Sequence, residues 1–322
     1  MSRYILRRLA FLVPVLGLLS ILGFALLIAL PGDPLDMLAL GDPSITKADL
    51  DRLKQLYGLN DPLPVRYAKW MGQVLQGNLG YSRHYRVPVT ELLAPRLQNT
   101  LILAGLAVLV SLSVSIPIGV YSAVRPYSLS DYAATVLAFV GYAVPAFWLG
   151  LVLIILFAVH LGWFPAGGIM SADPPRGLIG VLADRAIHLV MPVVVLSLHS
   201  MATWTRYMRS SLLEVVRQDF IQTARAKGLA ERTVIYRHAL KNALIPMVTL
   251  FANTVPVLVG GSVIVETVFS YPGIGKMHYD SVLGNDYSVS MAILMFLAAL
   301  VVAFNLLADI TYGLLDPRIR YE

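Results

Sequence analysis

RQDFIQTARAKGLAERTVIYRHALKNALIP occupies Arg217–Pro246, and its reading decides how the rest of the chain is placed. From Arg206 to Ala243 there are eight Lys or Arg against three acids, Glu214, Asp219 and Glu231. A short, strongly basic segment between two apolar stretches belongs on the cytoplasmic side of a membrane. The pattern predicts a helix, a break at Gly228, a second helix over about Ala230–Ala239, and re-entry into the membrane at Pro246. Leu213, Val216, Phe220 and Ala224 fall at i, i+3, i+7 and i+11, which predicts one apolar helical face. Arg217, Gln218 and Arg225 lie on the opposite side. Gly228 can adopt the positive φ that ends a helix and turns the chain back. Ala224, Ala226 and Gly228 are small enough to let a partner approach the backbone.

Outward from this stretch the chain is apolar. Of its 322 residues 57% are hydrophobic and only 14% are charged, and the mean hydropathy is +0.70. Soluble domains carry about 25% charged residues. Runs of roughly 20 apolar residues recur, the length that crosses a bilayer core as helix. The expected class is an all-α, multi-pass membrane protein. Six spans are expected: Leu9–Leu30, Leu101–Tyr121, Ala133–His160, His188–Trp204, Ile245–Phe269 and Ser290–Leu314. Leu9–Leu30 is too long for a secretory h-region and is followed by LPGDP, so it reads as a retained span. Gly141, Pro145, Pro192, Pro256, Gly260 and Gly261 are expected to break spans three to five.

With six spans both termini share one side. Fourteen Lys or Arg fall on the expected inner segments and eleven on the much longer outer ones. The positive-inside rule therefore puts both ends in the cytoplasm. The net charge of +6 reflects this topology rather than a nucleic-acid partner. In the polar region 31–98, Thr46 and Asp49 have capping-box spacing. Leu50, Leu53 and Tyr57 follow at helical spacing up to a stop at Gly58, and Tyr67, Met71, Val74 and Leu75 suggest a second short helix. Leu161–Ile187 and Ser270–Val289 read as external loops.

Several chemistries have no support. GxxxxGK[ST] is absent. Gly273-Ile274-Gly275-Lys276 lacks the upstream glycine and the following hydroxyl, and reads as a turn. There is no HExxH, no GxSxG and no cysteine, and the six histidines lack metal-ligand spacing. Within the spans only Glu266 and Asp309 are acidic, each near an interface, so a carboxylate relay for ion coupling is not evident. Tyr142, Pro145, Phe147, Trp148, Asn253 and Glu266 sit near the helix breaks and are candidates for a translocation path. Ordinary helix packing is the alternative for each.

DFIQTARAKGL…RHALKNALIP resembles the cytoplasmic loop of integral-membrane permeases of ABC importers, closest to the B subunits of dipeptide, oligopeptide and nickel permeases. The same family is matched by YILRRLAFLVPVL, LPGDP, LYGLNDPLPVRYAKW with GNLGYS, LQNTL, ETVFSYPGIGKM and NLLADITYGLLDPRIRY, in order along the whole chain. The chain departs from the wider pattern EAAxxxG: Gln222-Thr223-Ala224 precedes Arg225, so the family glutamate is missing.

The resemblance implies a type I ABC importer permease fold. In it, 1–30 holds the N-terminal tail and first helix, 31–98 an external layer, 99–315 a five-helix core with coupling loop 206–243, and 316–322 a cytoplasmic tail. It implies a non-catalytic subunit in a bacterial or archaeal cell (inner) membrane. Its implied partners are a second, homologous permease, two cytoplasmic ATP-binding subunits that hold the ATP and magnesium, and an extracytoplasmic substrate-binding protein. Asp219, Thr223, Ala224, Arg225, Lys227, Gly228, Leu229 and Arg237 are the implied ATPase-coupling residues, with docking resting on shape, Arg225 and Lys227. Without the resemblance, a basic loop that merely covers the inner interface explains the charge equally well. Peptide is the implied substrate; nickel or another small solute, and an ATP-independent secondary transporter, are the alternatives.

Overall fold

The computed structural model describes residues 2–29, 46, 48, 49, 52, 55, 58 and 60–315. The LPGDP turn, the side chains of Leu50, Leu53 and Tyr57, and the tail 316–322 lie outside these residues, as do the side chains of Asn253 and Asp309. All the regular elements among the described residues are helices. They are α1 (Ser2–Ala29), α2 (Leu63–Leu75), α3 (Val89–Val124), α4 (Leu129–Ala143), α5 (Ala146–Leu153), α6 (Leu178–Val216), α7 (Asp219–Ala226), α8 (Glu231–Thr233), α9 (Ile245–Val268), α10 (Ile274–Leu283) and α11 (Tyr287–Leu315). π-helical stretches extend α5 over Ile154–His160 and α8 over Val234–Ala239, the latter followed by a helical turn at Leu240–Ala243.

Three helices, α3, α6 and Tyr287–Leu307 of α11, are long and apolar enough to cross a membrane, and α4 with α5 and its π extension passes the same test as one bent pair. The bend is 97°. Val144 before Pro145 is extended, with φ −75° and ψ 122°, as the clash with a following proline ring requires. Pro145 then starts α5.

The other expected breaks do not occur. α6 runs unbroken through Pro192. Buried Met191 and Val193 flank it, and that packing outweighs the roughly 3 kcal/mol a proline costs in a helix interior. α9 runs through Pro256, Gly260 and Gly261. Gly141 is helical and buried; a Cβ there would sit 3.1 Å from Leu198. It is a point of close approach between α4 and α6, the use small residues have in membrane bundles. α6 also outruns the span expected at His188–Trp204. Its 39 residues reach about 58 Å, so Arg206 and Arg209 ride on a helix rather than in a loop.

The chain forms two compact units, Ser2–Gln98 with Met277–Leu300, and Asn99–Lys276 with the chain from Val301. In the first, Phe24 meets Tyr67 and Trp70 with ring centroids 5.6 and 5.7 Å apart. The Ser20 hydroxyl lies 2.6 Å from that of Tyr67. Buried Asp286 accepts from the Ser82 hydroxyl at 2.5 Å and from the His84 N–H at 3.2 Å. The Thr46–Asp49 capping box forms reciprocally: Thr46 N–H donates to the Asp49 carboxylate at 3.1 Å, and Asp49 N–H to the Thr46 hydroxyl at 3.3 Å. Gly58 has φ +63°.

The second unit is built on α6, against which α4, α5 and α9 pack. Trp204, Met208 and Leu212 are fully buried along it. Trp204 donates from its indole to Thr254 of α9 at 3.3 Å. Arg209 grips Asp131 of α4 with two hydrogen bonds of 2.7 Å. Such bidentate, charge-assisted pairs fix orientation as well as adding energy.

Candidate functional site

The basic stretch folds as a hairpin with a defined turn. α6 ends at Val216, and Gln218 opens α7 in an extended conformation, φ −76° and ψ 152°. This break overturns the single apolar face expected from Leu213 to Ala224. After the redirection Ile221 and Ala224 point inward and are buried, while Phe220 is 41% exposed. α7 closes with a Schellman motif. Gly228 N–H donates to Arg225 O at 2.9 Å, and Leu229 N–H to Ala224 O at 3.4 Å. Gly228 holds φ +77°, the left-handed conformation this motif needs at the residue after the cap. The return strand of the hairpin is not the plain helix expected over Ala230–Ala239. It is a turn of α-helix that widens into a π-helix from Val234. Val234, Ile235 and Ala239 bury its inner face, and the Ser211 hydroxyl donates to Ala243 O at 2.9 Å, tying its end to α6.

The eight expected coupling residues divide. Asp219, Thr223, Arg225, Lys227, Gly228, Leu229 and Arg237 are exposed. Ala224 is buried in its own hairpin. Its small side chain lets α7 pack on the return segment. Arg225 is engaged within the chain, bonding Glu231 at 3.1 Å through Nε and 2.6 Å through Nη2. That guanidinium holds the Glu231 carboxyl below its ordinary range. The pair staples the hairpin across its turn, so Arg225 is not an unengaged docking cation. Thr223, near the position of the missing family glutamate, turns its hydroxyl back to Asp219 O at 2.9 Å. The outward face is thus apolar at Phe220 and Leu229 and cationic at Lys227.

The path candidates also divide. Tyr142 and Pro145 line a partly open cavity of about 490 Å³ at the α4–α5 break. Such a volume is within the ~300–1,000 Å³ of small-molecule sites. Phe147 and Trp148 are about half exposed and are not among its lining residues. Thr254 and Leu258 of α9 line it, as do His199, Ser200, Thr203 and Trp204 of α6. None of these four was expected, because path candidates were sought beside helix breaks and α6 is continuous where it lines the cavity.

Glu266 does not line this cavity. It is 0% exposed and accepts from the Thr100 hydroxyl at 2.7 Å, the Ser262 hydroxyl at 2.9 Å and the Lys276 N–H at 2.9 Å. Thr100 in turn accepts from Ile274 N–H at 2.8 Å, and Asn99 donates to Pro272 O at 2.8 Å. The stretch Gly273–Lys276, expected as a turn, is the entry to α10. A Cβ on Gly273 would lie 2.4 Å from the Glu266 carboxyl. LQNTL and ETVFSYPGIGKM, far apart in sequence, are therefore two halves of one buried lock. Among the described residues no group of three or more His, Cys, Asp or Glu could hold a metal ion.

Comparison with known proteins accounts for the whole chain. The family "Binding-protein-dependent transport system inner membrane component" matches residues 115–321. Its companion "Binding-prot-dependent transport system membrane comp, N-term" matches residues 1–104. The chain is similar to the oligopeptide transport system permease protein AppB of Bacillus subtilis, 46% identical over 322 residues and covering all of both chains. It is 37% identical over 339 residues to the dipeptide transport system permease protein DppB of Escherichia coli K12, again over all of both. A solved structure of the MetNI methionine ABC transporter in inward-facing conformations shares the fold. The TM-score is 0.56 at 20% identity, over 70% of this chain and 97% of that one. With both family models matched and full-length relatives above one-third identity, the chain belongs to the family of inner-membrane components of binding-protein-dependent transport systems.

Proposed function

We propose that this chain is one of two membrane subunits of an ATP-driven importer of di- and oligopeptides. In this reading six helices cross the membrane and both termini are cytoplasmic. ATP and magnesium are bound by two separate ATP-binding subunits, and a soluble binding protein delivers the peptide from outside. The observation that carries the reading is the end-to-end match to permeases named for oligopeptide and dipeptide transport. The hairpin 217–243 is the surface offered to the ATP-binding subunit, through Phe220, Lys227, Gly228 and Leu229. Since α7 packs on the return segment, which is tied to α6, a push on this face moves α6, and with it α4 and α9.

The reading is tested by peptide uptake into vesicles containing the chain with its partner permease. Uptake is expected only when the ATP-binding subunits, ATP and the binding protein are all present. Peptide accumulation without the ATP-binding subunits would overturn it in favour of a secondary transporter.

A further inference from the structure

We propose that Arg206 receives the free α-carboxylate of the peptide as it leaves the cavity at the α4–α5 break. The inference rests on the peptide-importer reading above.

His199, Thr203 and Arg206 stand at i, i+4 and i+7 on α6, so they share one helical face. The first two line the cavity, and Arg206 continues the same face toward the end of α6 that leads into the hairpin. Its partners on α4 are aromatic. The guanidinium carbon lies 5.3 Å from the Phe139 ring centroid and 5.6 Å from that of Tyr142. Tyr142 stacks on His199 with centroids 4.5 Å apart and 23° between planes, and also lines the cavity. Phe139, Tyr142, His199 and Arg206 thus form one exposed ladder along its rim.

A guanidinium lying over aromatic rings uses its faces and leaves its N–H edges unspent. Those edges match a carboxylate in bidentate geometry. Among the described residues Arg206 has no carboxylate partner, whereas its neighbour Arg209 is fully committed to Asp131. Arg206 opens the basic segment expected on the cytoplasmic side, so it stands where a peptide would emerge from the cavity. Every unblocked peptide carries one carboxylate whatever its side chains, so a single fixed cation suits a path that accepts many sequences. The hydroxyls of Ser200 and Thr203 at the cavity can meet the peptide backbone behind it.

The experiment uses the full complex in proteoliposomes with saturating binding protein, and trialanine as the probe. Arg206→Gln should cut the maximal uptake rate roughly tenfold, the worth of one charge-assisted hydrogen bond. Arg206→Lys should keep most of it, and basal ATP hydrolysis should stay within about twofold of wild type in both. In saturation-transfer NMR without binding protein, trialanine should bind the wild-type complex roughly tenfold more tightly than its C-terminal amide, and the preference should vanish in Arg206→Gln. Wild-type uptake by Arg206→Gln, or equal binding of acid and amide to wild type, would overturn the inference alone. A defect of Arg206→Gln that disappears in vesicles lacking anionic lipid would assign the guanidinium to a headgroup and also overturn it. Failure of the wild-type complex to import any peptide would remove the peptide reading and this inference together.

Discussion

Replacing Gly228 with proline is expected to lower ATP-driven uptake by at least about tenfold, the scale of a typical coupling free energy between sites. The assembled complex should still hydrolyse ATP. Gly228 has φ +77°, and proline holds φ near −65° and has no N–H. The substitution therefore removes the bond to Arg225 O, reverses the turn, and separates Arg225 from Glu231. No atom lies within 4 Å of a Cβ at this position, so the effect is conformational rather than steric. Gly228→Asn is the control, since Asn tolerates the left-handed region; it should retain most uptake. The hairpin is exposed here, so both variants should insert and assemble. Normal uptake by Gly228→Pro would mean that the turn transmits nothing.

Glu266→Ala should produce the largest loss of stability of any single change described for this chain. It removes the buried carboxyl that accepts from the Thr100 and Ser262 hydroxyls and from the Lys276 N–H. Losing a hydrogen bond to a carboxylate costs about 1 kcal/mol or more, so the loss of three totals at least about 3 kcal/mol. At about 2–4 °C per kcal/mol, the melting temperature in detergent should fall by roughly 6–12 °C. Gly273→Ala should approach the same loss, since its Cβ would lie 2.4 Å from the carboxyl atoms of Glu266, which are themselves hydrogen-bonded in place. Fluorescence-detected size-exclusion chromatography of heated samples measures both. Wild-type melting of Glu266→Ala would show that the buried carboxyl is not a structural lock.

Helix positions were legible where hydrophobic length alone decides them. Ile245–Phe269 was expected and Ile245–Val268 is found; Ser290–Leu314 was expected and Tyr287–Leu315 is found. Proline positions were not legible in the same way. Pro145 breaks its span and Pro192 does not, because local φ restriction competes with the packing of Met191 and Val193, and only tertiary structure decides that contest. Periodicity also failed at the hairpin, where the chain changes direction at Arg217-Gln218. A one-helix pattern then assigns Phe220 inward and leaves Ile221 out of the core. The pairing of Arg225 with Glu231 could have been suspected from opposite charges on either side of a turn glycine. The link between Asn99-Thr100 and Glu266 had no local signal, since both halves were visible only as separate motifs.

The hairpin face at Phe220, Lys227 and Leu229 is the surface we propose to meet the ATP-binding subunit. The chain contains no cysteine, so Lys227→Cys introduces one unique thiol at an exposed position. The measurement attaches a benzophenone maleimide there, in a transporting complex whose ATP-binding subunits are themselves cysteine-free. Illumination followed by mass spectrometry is expected to join Lys227→Cys to an ATP-binding subunit, while the same probe at Tyr279→Cys, exposed on α10, gives no such product. A complex that imports peptide yet yields no cross-link from position 227, or yields an equal one from position 279, would contradict the account.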